Sequence, residues 1–401
     1  MKSRLYPIIG IFSLLILQAA VVSAKEIIIP RDFDKIQDGI DAANAGDKVK
    51  VQAGLYTEIL TMKDGVDLLG EGAEVTTLVA LAEGPPSAVL TTANNCTIDG
   101  FTITGARGRP GHAVYIKDTS PTISNCIVRD NDYTGIGVHN SKAHPLIQNN
   151  RIHNNGGPGI ANNYGASATI VGNEIFANER AGIGNVGSAT TIKGNKIYNN
   201  GLAGVGTISC SAIKIEGNDI YNNSGVEISV LSVRGAVIEV DAVIENNTIA
   251  GAGGPPSIIC ENTSPRINRN IITNRGATGI MVIAASPQII NNNISTDGPA
   301  GIYIKSGASP IVERNTILGG GRRGIVGDTS AAIINDNNIL ETGITQPEER
   351  GVPQLQEQLK DQFQNQLQQN INKQLGESSE PAPEPAPALQ STPAAEEEGW
   401  F

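Results

Sequence analysis

Four side chains could hold or move protons on a substrate: His112, Asp132, Glu179 and Arg180. Asp132 and Glu179 each stand six residues past a recurring slot, at Cys126 and Asn173, two sequence repeats apart. Carboxyl groups so placed are expected about 9–10 Å apart if repeats stack as neighbouring strands. That approaches the roughly 6.5–9.5 Å of an inverting glycosidase pair, where one carboxyl protonates the glycosidic oxygen and the other activates water. Tyr133 and Arg180 follow these acids directly, with Asp130 close by; solvated turn residues without chemistry are the other reading. A second set matters through what it lacks. Gly137, Ala161, Gly184 and Gly206 share one phase in four consecutive repeats, flanked by Tyr115, His139 and Asn163. A column with almost no side chain makes a shallow floor for a sugar chain or for an apolar helix.

These residues are positioned by a repeat. Its ruler runs Phe101, Cys126, Asn150, Asn173, Asn195, Asn218, Asn247, Asn270, Asn292, Asn315, Asn337, in steps of 22 to 25 residues except for one of 29. A period of this length denotes a solenoid. Each repeat carries short period-two apolar dyads between Asn/Gly turns too short for a helix, so the elements are strands. A Gly nine residues past the ruler in seven repeats, from Gly135 to Gly324, announces one strand. Pro121, Pro145, Pro265, Pro287 and Pro310 open another, where a missing N–H costs least. One repeat cannot bury its own Ile face, and stacking at about 4.8 Å does it instead. Asn repeated at an inward slot predicts a ladder of amide hydrogen bonds, each worth about 1 kcal/mol net.

Other columns follow from the same register. His153, Phe176, Tyr198 and Tyr221 stack either to bury their own turn or to hold sugar rings face-on. Arg151, Glu174, Lys196 and Asp219 alternate in sign as a surface ion-pair ladder. His139, His144 and His153 differ in phase from one another and from His112, so no histidine cluster is expected. The 29-residue step brings Glu227, Arg234, Glu239 and Asp241 near Glu216, Asp219 and Glu245; no cofactor or metal is expected, a divalent cation at Glu216, Asp219 and Glu245 being the alternative.

The repeat resembles that of the right-handed parallel β-helix family, the fold of pectate lyases, polygalacturonases, alginate epimerases and a periplasmic copper-processing accessory of nitrous oxide reductase. The resemblance runs over roughly residues 26–345. It includes Phe33 to Gly54 with Tyr56 and Glu58, which in relatives forms a short helix capping the open end. Ile36, Ile40 and Ala43 share a helical face and Gly46 stops it. In polygalacturonase-like relatives the acids and a Gly-His-Gly element occupy this part of the coil, and Gly111-His112-Ala113 is a loose echo. The adjacent Asp-Asp pair, the Arg-Ile-Lys and the epimerases' Asp-Pro-His-Asp are absent.

Lys2, Arg4, an apolar run from Ile8 to Leu17 and Val22-Ser23-Ala24 read as an export signal over residues 1–24. The expectation is a periplasmic or extracellular protein with no membrane span after cleavage. The net charge is −11, and residues 346–401 hold ten acids and three bases, so nucleic acid is a poor partner. Cys96, Cys126, Cys210 and Cys260 fall at different phases and read as free, mostly buried thiols. From Gln354 onward Leu355, Leu359, Phe363, Leu367, Ile371 and Leu375 recur every fourth residue, an amphipathic helix for the chain's own solenoid or for a protein partner.

The expected organisation is a signal at 1–24, a solenoid at 25–345, the Gln/Leu-rich helix at 346–376 and a disordered Pro/Ala/Glu tail at 377–401. The fold class is all-β: a right-handed parallel β-helix solenoid with an N-terminal capping helix, a C-terminal amphipathic helix and that tail. The expected function is binding of extracellular or cell-envelope polysaccharide, with hydrolase or lyase chemistry at His112, Asp132, Glu179 and Arg180. Tyr115, Tyr133, Gly137, His139, Ala161, Asn163, Gly184 and Gly206 are the expected binding surface. A non-catalytic structural or adhesive solenoid and a periplasmic metal-assembly accessory are the alternatives.

Overall fold

A computed structural model describes residues 24–80, 88–108, 111–233, 241–305, 307–319 and 324–340. The expected signal, apart from Ala24, lies outside these residues, as do Arg234, Glu239, the amphipathic segment and the tail.

The described strands form three parallel sheets of 14, 13 and 12 strands, here numbered one to three. Each full coil gives one strand to each sheet, as Thr122–Ser124, Ile127–Arg129 and Thr134–His139 do in turn. Register is kept from coil to coil: Ile152 pairs with Ile175, Ile175 with Ile197 and Ile197 with Ile220, all fully buried. The corner between sheets one and two turns at the residue before the ruler, which is left-handed in Asn149, Gly172 and Gly194. Asn and Gly are the residue types that enter this region at least cost.

The ruler asparagines form one file along that corner. The Asn195 side-chain oxygen accepts from the Asn173 backbone N–H at 2.9 Å and from its Nδ2 at 3.0 Å, and Asn218 serves Asn195 in the same way. Each Nδ2 also donates to a backbone carbonyl, that of Asn195 to Ile170 at 2.9 Å. The 29-residue step does not interrupt the file, since Asn218 N–H still reaches Asn247 Oδ1 at 2.9 Å. Every donor and acceptor of a buried amide is thereby used, which is why this slot keeps Asn.

A second file, not foreseen from the sequence, fills the corner between sheets two and three. Asn131, Asn155, Asn178, Asn200 and Asn223 are linked side chain to side chain, for example Asn178 Nδ2 to Asn200 Oδ1 at 3.0 Å. Asn at the fifth position past the ruler in five consecutive repeats was the available signal. The file ends on a carboxylate. Glu227, 1 % exposed, accepts from both the backbone N–H and Nδ2 of Asn223.

At the N-terminal end the helix Ile36–Ala42 seats Ile36 and Ile40 in the core. The Glu58 carboxylate accepts from the Ile36 and Gln37 N–H groups at 2.9 and 3.1 Å, satisfying orphan donors of the first turn. The four cysteines are free and buried.

The sheets differ in how they meet solvent. Sheets one and two alternate, with Ala212, Lys214 and Glu216 outward of buried Ile213 and Ile215, and Arg151 outward beside buried Ile152. Sheet three is mixed: Thr134–His139, Val205–Ile208 and Ile280–Ile283 are buried throughout, whereas Ile258–Glu261 and Ile302–Ile304 alternate, with Ile259, Glu261 and Tyr303 half-buried.

Candidate functional site at the second corner

Just past the second asparagine file the chain makes a turn whose backbone hydrogen bonds stack it coil on coil. Asp132 N–H donates to Ala106 O, Gly156 N–H to Asn131 O and Glu179 N–H to Asn155 O, each at 2.9 Å. Asp132, Gly156 and Glu179 therefore occupy one column, with the glycine between the acids. Two strand spacings put the acids' backbones about 9–10 Å apart. Both acids are exposed. Gly156 is required by close approach, because a β-carbon there would lie 2.3 Å from Asp132 O. Asp132 also accepts from Gly108 N–H at 3.1 Å, which steadies its side chain.

The next column is Tyr133, Gly157 and Arg180, joined by Gly157 N–H to Tyr133 O at 2.7 Å and Arg180 N–H to Gly157 O at 3.3 Å. With no side chain on Gly157, the Arg180 guanidinium reaches across to the Tyr133 ring, 6.0 Å from its centroid. The corner thus presents two carboxylates and a half-buried guanidinium around a two-glycine notch, with Tyr133 buried beside Arg180. An acid on each side of a substrate oxygen and a cation beside them is a set suited to gripping polyhydroxyl groups.

His112 stands apart from this notch, on the outer face of sheet three. It opens the strand His112–Lys117 and is paired with Thr134. Its ring stacks on Tyr115 at 5.3 Å and 13°, and lies 5.2 Å from His139, which in turn meets Tyr115 at 5.2 Å and Tyr164 at 6.2 Å. The expectation that His112 and His139 stay apart is corrected here. Gly137, one coil away, leaves the space into which the His112 ring leans, so a difference in phase along the chain becomes contact. Burial pushes His112 down to about 4; burial first, then the neighbouring His112 and Lys117, push His139 down to about 3. Both rings are neutral at neutral pH. His144 and His153 do not join this group, and among the described residues no three His, Cys, Asp or Glu side chains converge on a common point.

The small residues do form one file, Gly137 to Ala161 to Gly184 to Gly206 in register, with Tyr115 before them and Asn163 beside His139. All four are buried.

The aromatic file of sheet two is stacked ring on ring, His153 to Phe176 at 4.6 Å, Phe176 to Tyr198 at 5.0 Å and Tyr198 to Tyr221 at 5.0 Å, within 13° of parallel. The facing sides of these rings are spent on one another. Sugar rings have no room to lie between them, so the face-on reading is set aside for the structural one.

In the long step, Glu216 is held by Lys214 at 2.9 Å and Lys193 at 3.5 Å, and Glu245 by Arg266 at 3.5 Å and Lys214 at 3.8 Å. The Lys214 hydrogen bond, then its charge and that of Lys193, draw the Glu216 carboxyl below its usual range. Basic side chains already neutralise the acids expected to favour a cation, while Asp219 lies in register with Lys196 in sheet two.

No curated protein matches the sequence. Among solved structures, the chain resembles the A-module of the mannuronan C-5 epimerase AlgE4 of Azotobacter vinelandii, at 20 % identity and a TM-score of 0.52 over 77 % of this chain and 91 % of that one. It also resembles the catalytic unit of a thermostable GH87 alpha-1,3-glucanase from Streptomyces thermodiastaticus, at 14 % and 0.59 over 77 % and 65 %. XylC in complex with xylose gives 10 % and 0.56 over 82 % and 88 %. Identities this low establish a shared fold. Residues 87–238 and 234–352 match the family described as the right handed beta helix region, and the chain belongs to that family.

Proposed function

We propose that this protein is exported and binds a polysaccharide of the extracellular space or cell envelope at the second corner, in the notch floored by Gly156 and Gly157. The observation that carries this reading is the placement of exposed Asp132 and Glu179 in one column on either side of a glycine. The carboxylates accept hydrogen bonds from sugar hydroxyls, and Arg180, held against Tyr133, donates to them. The β-helix structures it resembles are named for a mannuronan epimerase, an alpha-1,3-glucanase and a complex with xylose, and so support a carbohydrate ligand.

A second reading, cleavage at the same notch, is favoured by the two-coil separation. It leaves room for a water between the acids, as inverting hydrolysis requires. One carboxyl would protonate the glycosidic oxygen while the other takes a proton from the water attacking the anomeric carbon.

The test is a panel of neutral and acidic polysaccharides, scored for binding by calorimetry and for new reducing ends. Binding weakened tenfold or more by Arg180→Ala, with folding unchanged, supports the notch. Reducing ends that vanish in Asp132→Asn and in Glu179→Gln add cleavage. A chain that binds no glycan, or binds equally well in all three variants, overturns the proposal in favour of a structural or adhesive solenoid.

A further inference from the structure

Tyr164 occupies a turn that its neighbours fill with other residue types. Asp118, Asn140, Tyr164 and Gly187 directly follow Lys117, His139, Asn163 and Val186, which lie in register, so the four form one column where sheet three gives way to sheet one. Their φ angles are 55°, 73°, 57° and 58°. Asp, Asn and Gly enter this left-handed region at low cost, whereas the β-carbon and bulk of a tyrosine make it unfavourable. The ring is nonetheless held out at 52 % exposure, and among the described residues no other Tyr, Phe or Trp is exposed. Backbone strain of this kind gathers at ligand sites. The surroundings of the ring are polar on one flank and open on the other. Asn140 Nδ2 donates to Asp118 Oδ2 at 2.8 Å in the two preceding coils. In the following coil a β-carbon on Gly187 would meet nothing within 4 Å, which leaves room beside the tyrosine. The His139 ring, itself against Tyr115 and His112, backs Tyr164 at 6.2 Å.

We propose that Tyr164 is the stacking platform of a second sugar-binding site, at the edge of sheet three away from the notch. An exposed aromatic face with a few polar groups beside it suits a pyranose, whose C–H face packs on the ring while its hydroxyls seek acceptors and amides. Asn140 and Asp118 lie one and two strand spacings from Tyr164, about 5 and 10 Å. A sugar chain passing along the column therefore meets the ring with one unit and the amide–carboxylate pair with the next. The assignment rests on the reading of a polysaccharide ligand but not on the notch. Gly157 belongs to the same coil as Tyr164 but lies seven residues before it, across the strand Ile160–Asn163 and about 23 Å away if extended.

Calorimetry of the full chain with dextran, xylan and alginate, paired with urea unfolding, tests the site. Tyr164→Asn gives this turn the residue that Asn140 already places in the column, so the unfolding midpoint should hold or rise while affinity for the polysaccharide falls at least fivefold. Tyr164→Phe keeps the ring and should hold affinity within twofold. Affinity that falls in Tyr164→Asn but not in Arg180→Ala supports this site and removes the notch. Affinity unchanged in Tyr164→Asn overturns the inference and leaves the notch standing. An equal loss in Tyr164→Phe also overturns it, since the hydroxyl and not the ring face would then bind, as does a midpoint that drops in Tyr164→Asn, which would make the ring a part of the fold. A wild-type chain that binds none of the three overturns the inference together with the polysaccharide reading.

Discussion

The Nδ1 of His112 lies 2.5 Å from the point that a β-carbon on Gly137 would occupy. The glycine is therefore a socket for the imidazole rather than a flexible link. Gly137→Ala should cost about 1–3 kcal/mol through overpacking against an enclosed ring. In His112→Ala the same change should be nearly neutral, a coupling readable in a double-mutant cycle by urea denaturation. Additive losses would show that the ring does not rest on this glycine.

The end of the second asparagine file predicts a pH dependence. Burial pushes the Glu227 carboxyl up to about 7, against the lowering effect of its hydrogen bonds from Asn223. A carboxyl that binds its proton more tightly when folded contributes stability in full below the unfolded value near 4.5 and loses it as pH rises through about 7. The span of that loss is about 3 kcal/mol. His112 and His139, depressed by burial, act oppositely: they favour the fold above the ordinary histidine value and lose that contribution as pH falls toward about 4 and 3. From pH 6.5 to 7.5 the two opposing contributions overlap, because histidines of the unfolded chain are still losing protons near their ordinary value of 6.5. Glu227→Gln should therefore gain more stability with rising pH across that interval than wild type, the difference in slope being the glutamate's share, and equal slopes in the two proteins would remove Glu227 as the cause.

In the first file, Asn195→Ala strips the acceptor from the Asn173 N–H and Nδ2 and the donor from Ile170 O, all in the interior. Leaving such groups unmet costs about 1–3 kcal/mol each before relaxation. Asn337→Ala, at the half-buried open end, should cost clearly less. Chemical denaturation of the two variants gives the comparison, and equal losses would mean that the interior file is no more demanding than its end.

Tyr198 stands between two rings and donates its hydroxyl to Glu174 at 3.0 Å. Tyr198→Ala should lower stability by roughly 1–3 kcal/mol while leaving glycan affinity unchanged. A loss of affinity with stability intact would return the aromatic file to the binding surface.

The solenoid was legible because its cause is local and repeated. A slot such as Asn173 must be satisfied by its own copies, so the sequence repeats the amide at the spacing of one coil. The second file was equally written, from Asn131 to Asn223, but it was hidden behind the more regular ruler and ends on a residue of another type. Phase along the chain also placed Asp132 and Glu179 in one column, because both follow the same ladder positions. It failed for His112, whose ring leans out of its strand position toward Gly137 and so meets His139.

What the sequence by itself determined is which residues lie above one another, since hydrogen bonding between identical strands leaves one register in which the Ile and Asn files remain inside. What only the tertiary structure decided is which outward columns meet water. Sheets one and two show solvent their alternate residues, while strands of sheet three such as Thr134–His139 are buried throughout, a difference that depends on side chains leaning across the face, as His112 does over Gly137, and that no period along the chain encodes.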